Sequence, residues 1–308
     1  MTATTSACAY RTRSVITTDG VRLACRDYGR GDAEHTVILL HGFCLDQSTW
    51  TLQVRELTRQ WGRRLRIISF DYRGHGQSSP ACTHTYTIGQ LAQDLSYVLT
   101  ALDVTSPVTL AGHSMGGMAA LTYLSLAQRP IEPVGLVLVA SAAGRLAQRG
   151  IGRLLAIPGL GGLAGLVEHL PHHAAQDIVR ALALPAGHAL THLVGLTGSE
   201  RAAFSRTAAG ALTRTTIAAA IGFLPSLRTY DQRATLANIA AHTTVISGGK
   251  DLVTPSAHAA ELVVGIAGSI HVHQAHAGHM LLHDAAAAVT DAISHTIASA
   301  AAAAPVAR

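Results

Sequence analysis

The 308-residue sequence has few charged and few aromatic residues. Charged side chains make up 13% of it and aromatic side chains 4%, whereas 48% is hydrophobic and the mean hydropathy is +0.28. Globular proteins average about 25% charged residues, so this composition excludes a disordered or heavily solvated chain. The length suits one large domain or two small ones with a well-buried core.

Long hydrophobic runs are also lacking. The most apolar stretch, residues 154–167, is interrupted by Pro158 and several glycines, whereas a membrane-spanning helix needs about 20 apolar residues. The first 14 residues lack the apolar core of a signal peptide. We therefore expect a soluble, cytoplasmic protein without an integral membrane segment.

Lysine is almost absent, and cysteines and basic residues are not clustered. Lys250 is the only lysine among 23 basic residues, which outnumber 18 acidic ones and give a net charge of +5. No basic run with interleaved aromatic residues occurs, which argues against nucleic acid as a partner. The cysteines lack a CxxC spacing, so neither a disulfide framework nor a cysteine metal centre is predicted from Cys8, Cys25, Cys44 and Cys82.

Short apolar runs alternate with helical patterns. Residues 14–17 and 21–28 flank a Thr-Asp-Gly turn, which is typical of a hairpin. Further runs have the composition of buried parallel strands and lie at 36–40, 65–70, 107–110, 134–140, 243–247 and 269–273. Apolar residues at helical spacing predict helices at 90–102, 115–127 and 284–297. This alternation indicates an α/β fold with a mostly parallel, doubly wound sheet, which binds ligands at the carboxyl ends of its strands.

The alternation stops between residues 142 and 228. This stretch has no clear strand, carries 8 arginines but only 3 acidic residues, and contains helix-breaking prolines at Pro158, Pro171, Pro185 and Pro225. We interpret it as an inserted helical cap, with residues 1–141 and 229–308 forming the core domain. Two or three long crossover helices are the alternative. Residues 298–305 are expected to be a frayed helix end.

The string Gly112-His113-Ser114-Met115-Gly116 matches G-x-S-x-G between a predicted strand and a predicted helix. Such a turn holds the serine strained and exposed at a helix N-terminus, and its sharpness requires the glycines. Ser114 is therefore the candidate nucleophile. An ordinary glycine turn is the alternative.

A serine hydroxyl becomes a strong nucleophile only when a neighbouring imidazole accepts its proton. The base is expected after the last strand, where residues 271–283 hold five histidines. His271 and His273 belong to the strand and His283 to the last helix, which leaves His276 and His279. Gly278 allows a turn that would aim His279 at Ser114, so His279 is preferred. A metal site is a weaker reading, because no third ligand accompanies the pair His279 and His283.

A carboxylate must orient that imidazole and stabilise its charged form. Asp251 follows the predicted strand at 243–247 and precedes His279, which makes it the candidate acid. The other suitable position, residues 141–144, contains no acidic residue. Capping of the following helix is the alternative role for Asp251.

Acyl transfer also needs two N–H donors for the developing oxyanion. The backbone amide of Met115 follows the nucleophile, and the second is expected from Phe43 in the loop after residues 36–40. The Phe43 ring and His113 are predicted to line the substrate pocket, and Cys44 to serve packing.

Together these motifs resemble the α/β-hydrolase superfamily over nearly the whole chain except the cap. The strings that carry the resemblance are His41-Gly42-Phe43, Asp71-Tyr72-Arg73-Gly74-His75-Gly76-Gln77-Ser78, Gly112-His113-Ser114-Met115-Gly116-Gly117, Gly248-Gly249-Lys250-Asp251 and Gly278-His279. The resemblance implies that residues 71–78 are structural, and that Asp284 is the acid commonly found five residues after the base.

The resemblance also limits which reactions of this fold are expected. Epoxide hydrolases and haloalkane dehalogenases of this fold use an aspartate nucleophile and a proline where Cys44 stands, and hydroxynitrile lyases use a cap lysine that is missing here. Esterases and lipases, thioesterases, carbon–carbon bond hydrolases and cofactor-free perhydrolases remain, and a non-catalytic receptor is a weaker alternative.

The apolar composition of residues 151–170 suits an acyl chain and a mobile lid. The sequence therefore predicts hydrolysis of an apolar carboxylic ester through an acyl-enzyme, without a metal or organic cofactor. The predicted partner is a small apolar ester or acyl compound. The cap arginines allow transient contact with a lipid surface, but solvated helix faces explain them more simply.

Overall fold

The computed structural model describes residues 9–156 and 215–303, which form an eight-stranded sheet covered by helices on both faces. The strand order is β1-β2-β4-β3-β5-β6-β7-β8. Strand β2 is antiparallel to both of its neighbours, β1 and β4, and all other neighbouring pairs are parallel. The strands are β1 Arg11–Ile16, β2 Arg22–Tyr28, β3 His35–Leu40, β4 Leu65–Phe70, β5 Val108–His113, β6 Gly135–Val139, β7 His242–Gly248 and β8 Ile270–Gln274. The predicted α/β class and mostly parallel sheet are confirmed.

Seven α-helices lie in the described part of the chain: α1 Thr51–Trp61, α2 Ile88–Ala101, α3 Met115–Ser125, α4 Ile217–Thr229, α5 Ser256–Gly265, α6 Leu281–Asp284 and α7 Ala286–Ala303. The helices predicted at 90–102 and 115–127 correspond to α2 and α3, and that at 284–297 to α7. Helix α1 was not predicted. The alanine-rich end of α7 is regular as far as Ala303, and residues 304–308 lie outside the described residues. None of the described helices is long and apolar enough to cross a membrane.

The sheet separates two hydrophobic clusters because side chains of a strand point alternately to its two faces. Along β3, Ile38 and Leu40 enter a cluster with residues of α2, α3 and α5, whereas Val37 and Leu39 enter a cluster with α1 and α7. All six β3 residues are buried. Burial on both faces explains why the central strands read as continuous apolar runs rather than alternating ones.

The strand order reverses between β3 and β5. The chain passes from β3 to β4 on one side and then returns through α2 to β5 on the other side. The carboxyl ends of β3 and β5 therefore lie side by side, in register from Thr36 with Val108 to Leu40 with Gly112. In doubly wound sheets, this kind of reversal leaves a crevice in which ligands bind.

Most of the predicted cap, residues 157–214, lies outside the described residues. The parts that are described include a 3-10 helix, Gly150–Ala156, and helix α4. The expected break at Pro225 is wrong, because α4 continues through this proline. Packing overrides the local preference: Phe223 of α4 is fully buried, and its ring lies 5.4 Å from that of Tyr86.

Candidate active site

Ser114 lies between the end of β5 and the start of α3, in a strained backbone conformation with φ 52° and ψ −117°. Two glycines allow this turn. A Cβ atom on Gly116 would lie 2.2 Å from the carbonyl oxygen of Leu40, and one on Gly112 would lie 2.4 Å from the amide of Gly117. The turn has the geometry expected of a nucleophile elbow. Ser114 is less exposed than expected, at 7%.

His279 and Asp251 lie beside this serine in one chain of hydrogen bonds. The Oγ of Ser114 is 3.1 Å from Nε2 of His279, and Nδ1 of His279 is 2.9 Å from Oδ2 of Asp251. Since a carboxylate only accepts, Nδ1–H donates to Asp251 and Nε2 is left to accept the Ser114 proton. The Asp251 side chain has no exposure, whereas 20% of the His279 side chain is exposed. The structure thus brings together the three predicted side chains, and it places His279 rather than His276 next to the serine.

Asp251 is held by donors from its own loop. The amides of Val253 and Thr254 donate to its Oδ1, and the Thr254 hydroxyl lies 2.8 Å from Oδ2 and 2.9 Å from the carbonyl oxygen of Ala140. Burial alone would raise the Asp251 pKa, but the positive charge and hydrogen bond of His279 and the donors of Thr254 together lower it below its usual range. Thr254 was missed by the sequence analysis, although an Asp-x-x-Thr spacing is a recognisable signal for such a loop.

The elbow is tied to the end of β6 by two further bonds. The Ser114 amide donates to the carbonyl of Val139 at 2.9 Å, and the buried hydroxyl of Ser141 donates to the carbonyl of Ser114 at 2.8 Å. The sequence analysis assigned no role to Ser141, since it noted only that residues 141–144 contain no acidic residue. It fixes the backbone of the strained serine instead.

Phe43 and Met115 contribute the two backbone amides predicted to bind an oxyanion. Neither amide donates a hydrogen bond to another described residue. The neighbouring residue Cys44 has a φ of +57°, and its amide donates to Nε2 of His75 at 3.3 Å. Burial raises the pKa of the Cys44 thiol to about 12, so it stays protonated at neutral pH.

That His113 lines the substrate pocket stays a prediction, and the structure shows what its side chain contacts. Its side chain is fully buried, Nε2 donates to the carbonyl oxygen of His279 at 3.0 Å, and its ring lies 5.0 Å from the His279 ring. Its side chain therefore lies against the loop of His279. The Phe43 ring is half-buried and contacts Phe223 of α4 edge-on, with the ring centroids 6.4 Å apart.

The other histidines of the 271–283 segment lie apart from Ser114. His271 and His273 share contacts with the Ser247 hydroxyl at the sheet edge, both at 2.9 Å, and His276 and His283 are exposed. Within residues 9–156 and 215–303, no three His, Cys, Asp or Glu side chains are arranged to hold a metal ion. The Asp284 carboxylate accepts the amide of Gly278 at 3.1 Å, which fixes the turn before His279.

Residues 71–78 hold the neighbouring loops in place. The Asp71 carboxylate accepts the amides of Gln47 and Gln77 and the side-chain amide of Gln47. The buried guanidinium of Arg73 makes paired bonds to the buried carboxylate of Asp94, at 2.7 and 2.8 Å. These contacts are structural in character, as the resemblance implies.

Comparison with known families decides where the chain belongs. A model of the alpha/beta hydrolase family matches residues 37–292, most of the sequence. The chain belongs to the alpha/beta hydrolase family. The resemblance drawn from the motifs is thereby confirmed.

Individual relatives of this alpha/beta hydrolase differ in how much they match. The AB hydrolase superfamily protein YisY of Bacillus subtilis is 28% identical over 268 residues, which are 86% of this chain and 91% of YisY. The non-heme chloroperoxidase CPO-A1 of Kitasatospora aureofaciens is 36% identical over 108 residues, 35% of this chain. The chain spans 36% or less of the length of the first curated relatives that it matches. Among solved structures, the esterase EaEST from Exiguobacterium antarcticum has a TM-score of 0.71 at 23% identity, covering 93% of this chain and 100% of its own. That likeness shows a shared fold.

Proposed function

We propose that this alpha/beta hydrolase cleaves apolar carboxylic esters through an acyl-enzyme formed on Ser114. The observation that carries the proposal is the continuous chain from Ser114 Oγ through the His279 ring to the buried carboxylate of Asp251, with steps of 3.1 and 2.9 Å. This arrangement has the roles and geometry of a nucleophile, a general base and an orienting acid.

In the acylation step, Ser114 Oγ attacks the ester carbonyl while Nε2 of His279 accepts the hydroxyl proton. The imidazolium that forms is stabilised by the Asp251 carboxylate, which stays ionised because its pKa is lowered. The amides of Phe43 and Met115, which have no hydrogen-bond acceptor among the described residues, are the proposed donors to the oxyanion. Nε2–H then protonates the leaving alkoxide, and the ester bond breaks.

In the deacylation step, water takes the place of the alcohol. His279 accepts a proton from this water, which attacks the acyl carbonyl, and the proton then returns to Ser114 Oγ as the carboxylic acid leaves. Every proton transfer uses residues of the chain itself, so the proposed cycle requires no cofactor.

The proposal of a cap over residues 142–228 is supported by how the segment joins the core. Gly144 forms an isolated antiparallel bridge with Asp231, and the Gln232 amide donates to the carbonyl of Ala143 at 2.7 Å. The chain therefore leaves and re-enters the core at one place. Thr215 forms a second bridge with His75, next to the loop that carries Phe43, so the returning segment lies close to the site.

An apolar substrate is supported by the side chains near the site. Phe43 contacts Phe223 of α4, and both belong to or pack against the main hydrophobic cluster. An acyl chain that enters between the β3 loop and α4 would meet aromatic rings rather than charges. The expected partner is therefore a small apolar ester.

The test is hydrolysis of p-nitrophenyl esters with acyl chains from short to long, by the wild type beside Ser114→Ala and Ser247→Ala. Ser247 is a buried serine of β7 and serves as the matched control. Turnover should vanish in Ser114→Ala and persist in Ser247→Ala, and the chain-length optimum measures the acyl site. Equal turnover by wild type and Ser114→Ala would contradict the proposal.

A second candidate, a cofactor-free perhydrolase, is favoured by the similarity to a non-heme chloroperoxidase. In that reaction hydrogen peroxide replaces water at the acyl-enzyme and releases a peracid, which then oxidises a halide. Peroxide-dependent bromide oxidation in acetate buffer, absent in Ser114→Ala and faster than ester hydrolysis, would support this candidate instead.

A further inference from the structure

His113 precedes the proposed nucleophile, but its side chain contacts two other loops of the site. Its Nε2 lies 3.0 Å from the carbonyl oxygen of His279, and its fully buried ring stands beside the His279 ring. A carbonyl oxygen can only accept, so Nε2 carries the proton. One side chain thus connects the serine turn to the backbone of the proposed base.

The same ring also lies against the loop that carries Phe43. A Cβ atom on Gly42 would be 2.7 Å from Nδ1 of His113 and 3.2 Å from its Cε1. Only glycine leaves room for the imidazole at this point. His113 is therefore wedged between the loops of Gly42 and His279, while its own backbone leads into Ser114.

The ring is also kept uncharged. Nδ1 has no hydrogen-bond partner among the described residues, so the protonated form would place an unpaired charge in the interior. Burial, followed by the effect of His279, lowers the His113 pKa to about 3; Asp251 and His283 are the other titratable groups that act on it. A neutral ring avoids charge repulsion when the neighbouring His279 is protonated during acyl transfer.

We infer that His113 is a positioning residue: it holds the backbone of His279, and through it the imidazole, at hydrogen-bond distance from Ser114. The inference rests on the proposed function. The Nε2–H bond to the His279 carbonyl supplies the position and takes no part in proton transfer. Its removal should affect the alignment of base and nucleophile while leaving the acyl site itself intact.

The test compares His113→Leu, which removes the donor, with His113→Gln, whose amide can replace Nε2–H. His35→Leu and His35→Gln are matched controls, because His35 is also buried and bonded through Nε2, to Thr109, at the amino end of β3. Each variant is measured for kcat and KM on the best p-nitrophenyl ester, for its rate of labelling by a fluorophosphonate, and for its melting temperature.

His113→Leu is expected to lower kcat and the labelling rate about 10- to 100-fold with KM changed less than about twofold, as a misplacement near 1 Å does. His113→Gln should recover the rates to within about threefold of wild type, because one hydrogen bond is restored. The His35 variants should keep the wild-type kcat. A kcat for His113→Leu that falls no further than that of His35→Leu would overturn the inference.

Failure of the proposed function would look different, because the wild type itself would neither label nor turn over the ester. If His113→Leu does not fold, the wild type still provides a test through the imidazole nitrogen resonances of uniformly 15N-labelled protein. His113 should then appear as the neutral Nε2–H tautomer at both pH 7.5 and pH 6, where an imidazole with the ordinary pKa of about 6.5 is mostly protonated. A Nδ1–H tautomer, or a doubly protonated ring in the folded protein at pH 6, would overturn the inference.

Discussion

Several histidines are buried in the neutral form, and they should make the fold sensitive to mild acid. Burial lowers the pKa of His35 and His41 to about 4; burial, with the neighbouring His41 and His279 respectively, lowers the pKa of His75 and His113 to about 3. In the unfolded chain these histidines have the ordinary pKa of 6.5. Below pH 6.5 the unfolded state therefore binds protons that the folded state does not, and stability falls with pH.

The size of the stability loss follows from the pH range between 6.5 and the pKa of each histidine in the folded protein. Each unit of pH between 6.5 and the folded pKa costs about 1.4 kcal/mol per histidine, so lowering the pH from 7.5 to 5 costs about 2 kcal/mol for each. Four such groups together cost about 8 kcal/mol, which is comparable to the whole stability of an ordinary domain, about 5–15 kcal/mol. The chain should therefore be close to unfolding near pH 5.

One histidine can be isolated with His35→Gln, because His35 is 5% exposed and remote from Ser114, at the amino end of β3. Urea unfolding of wild type and variant at pH 7.5 and pH 5 gives the loss of stability for each. The variant should lose about 2 kcal/mol less than wild type. His295→Gln on the exposed face of α7 is the matched control and should lose as much as wild type. Equal losses in His35→Gln and wild type would refute the reasoning.

Three further substitutions test other parts of the account. Asp251→Asn should lower kcat by about 10⁴-fold on p-nitrophenyl esters, because an amide favours the wrong His279 tautomer; a loss under tenfold would contradict its orienting role. Gly116→Ala should abolish soluble expression, because its Cβ would lie 2.2 Å from a backbone carbonyl oxygen of β3, whereas Gly89→Ala, with 3.8 Å to its nearest neighbour, should be tolerated. Arg73→Met should cost about 3–5 kcal/mol in urea unfolding by leaving Asp94 buried without its partner, and the double variant Arg73→Met/Asp94→Leu should recover most of this.

The sheet could be predicted because burial on both faces leaves a local signal. The runs at 36–40, 65–70 and 134–140 are short, apolar and closed by small or polar residues, and each matches a strand to within one residue at either end. Helix α1 gave a weaker signal, because Val54 and Leu57 are its only buried apolar residues. The helix break predicted at Pro225 is wrong, because tertiary packing of α4 outweighs the local cost of a proline inside a helix.

The sequence could predict those parts of the candidate site that depend only on where a residue lies relative to the strands. Ser114, Asp251 and His279 each follow a strand, and parallel strands bring their carboxyl ends to one edge of the sheet. The orientations of Thr254 and His113 could not be predicted in this way. They depend on which loop packs against which, and chain position does not determine this.

The central claim is that Ser114 is activated by the His279 and Asp251 chain. The most direct measurement is reaction of the folded protein with a fluorophosphonate, followed by intact-mass analysis and peptide mapping, with Ser114→Ala treated in parallel. One adduct per chain on the peptide containing Ser114, and none in the variant, is the predicted result. A folded wild type that gains no adduct, or an adduct that maps elsewhere and persists in Ser114→Ala, would contradict the claim.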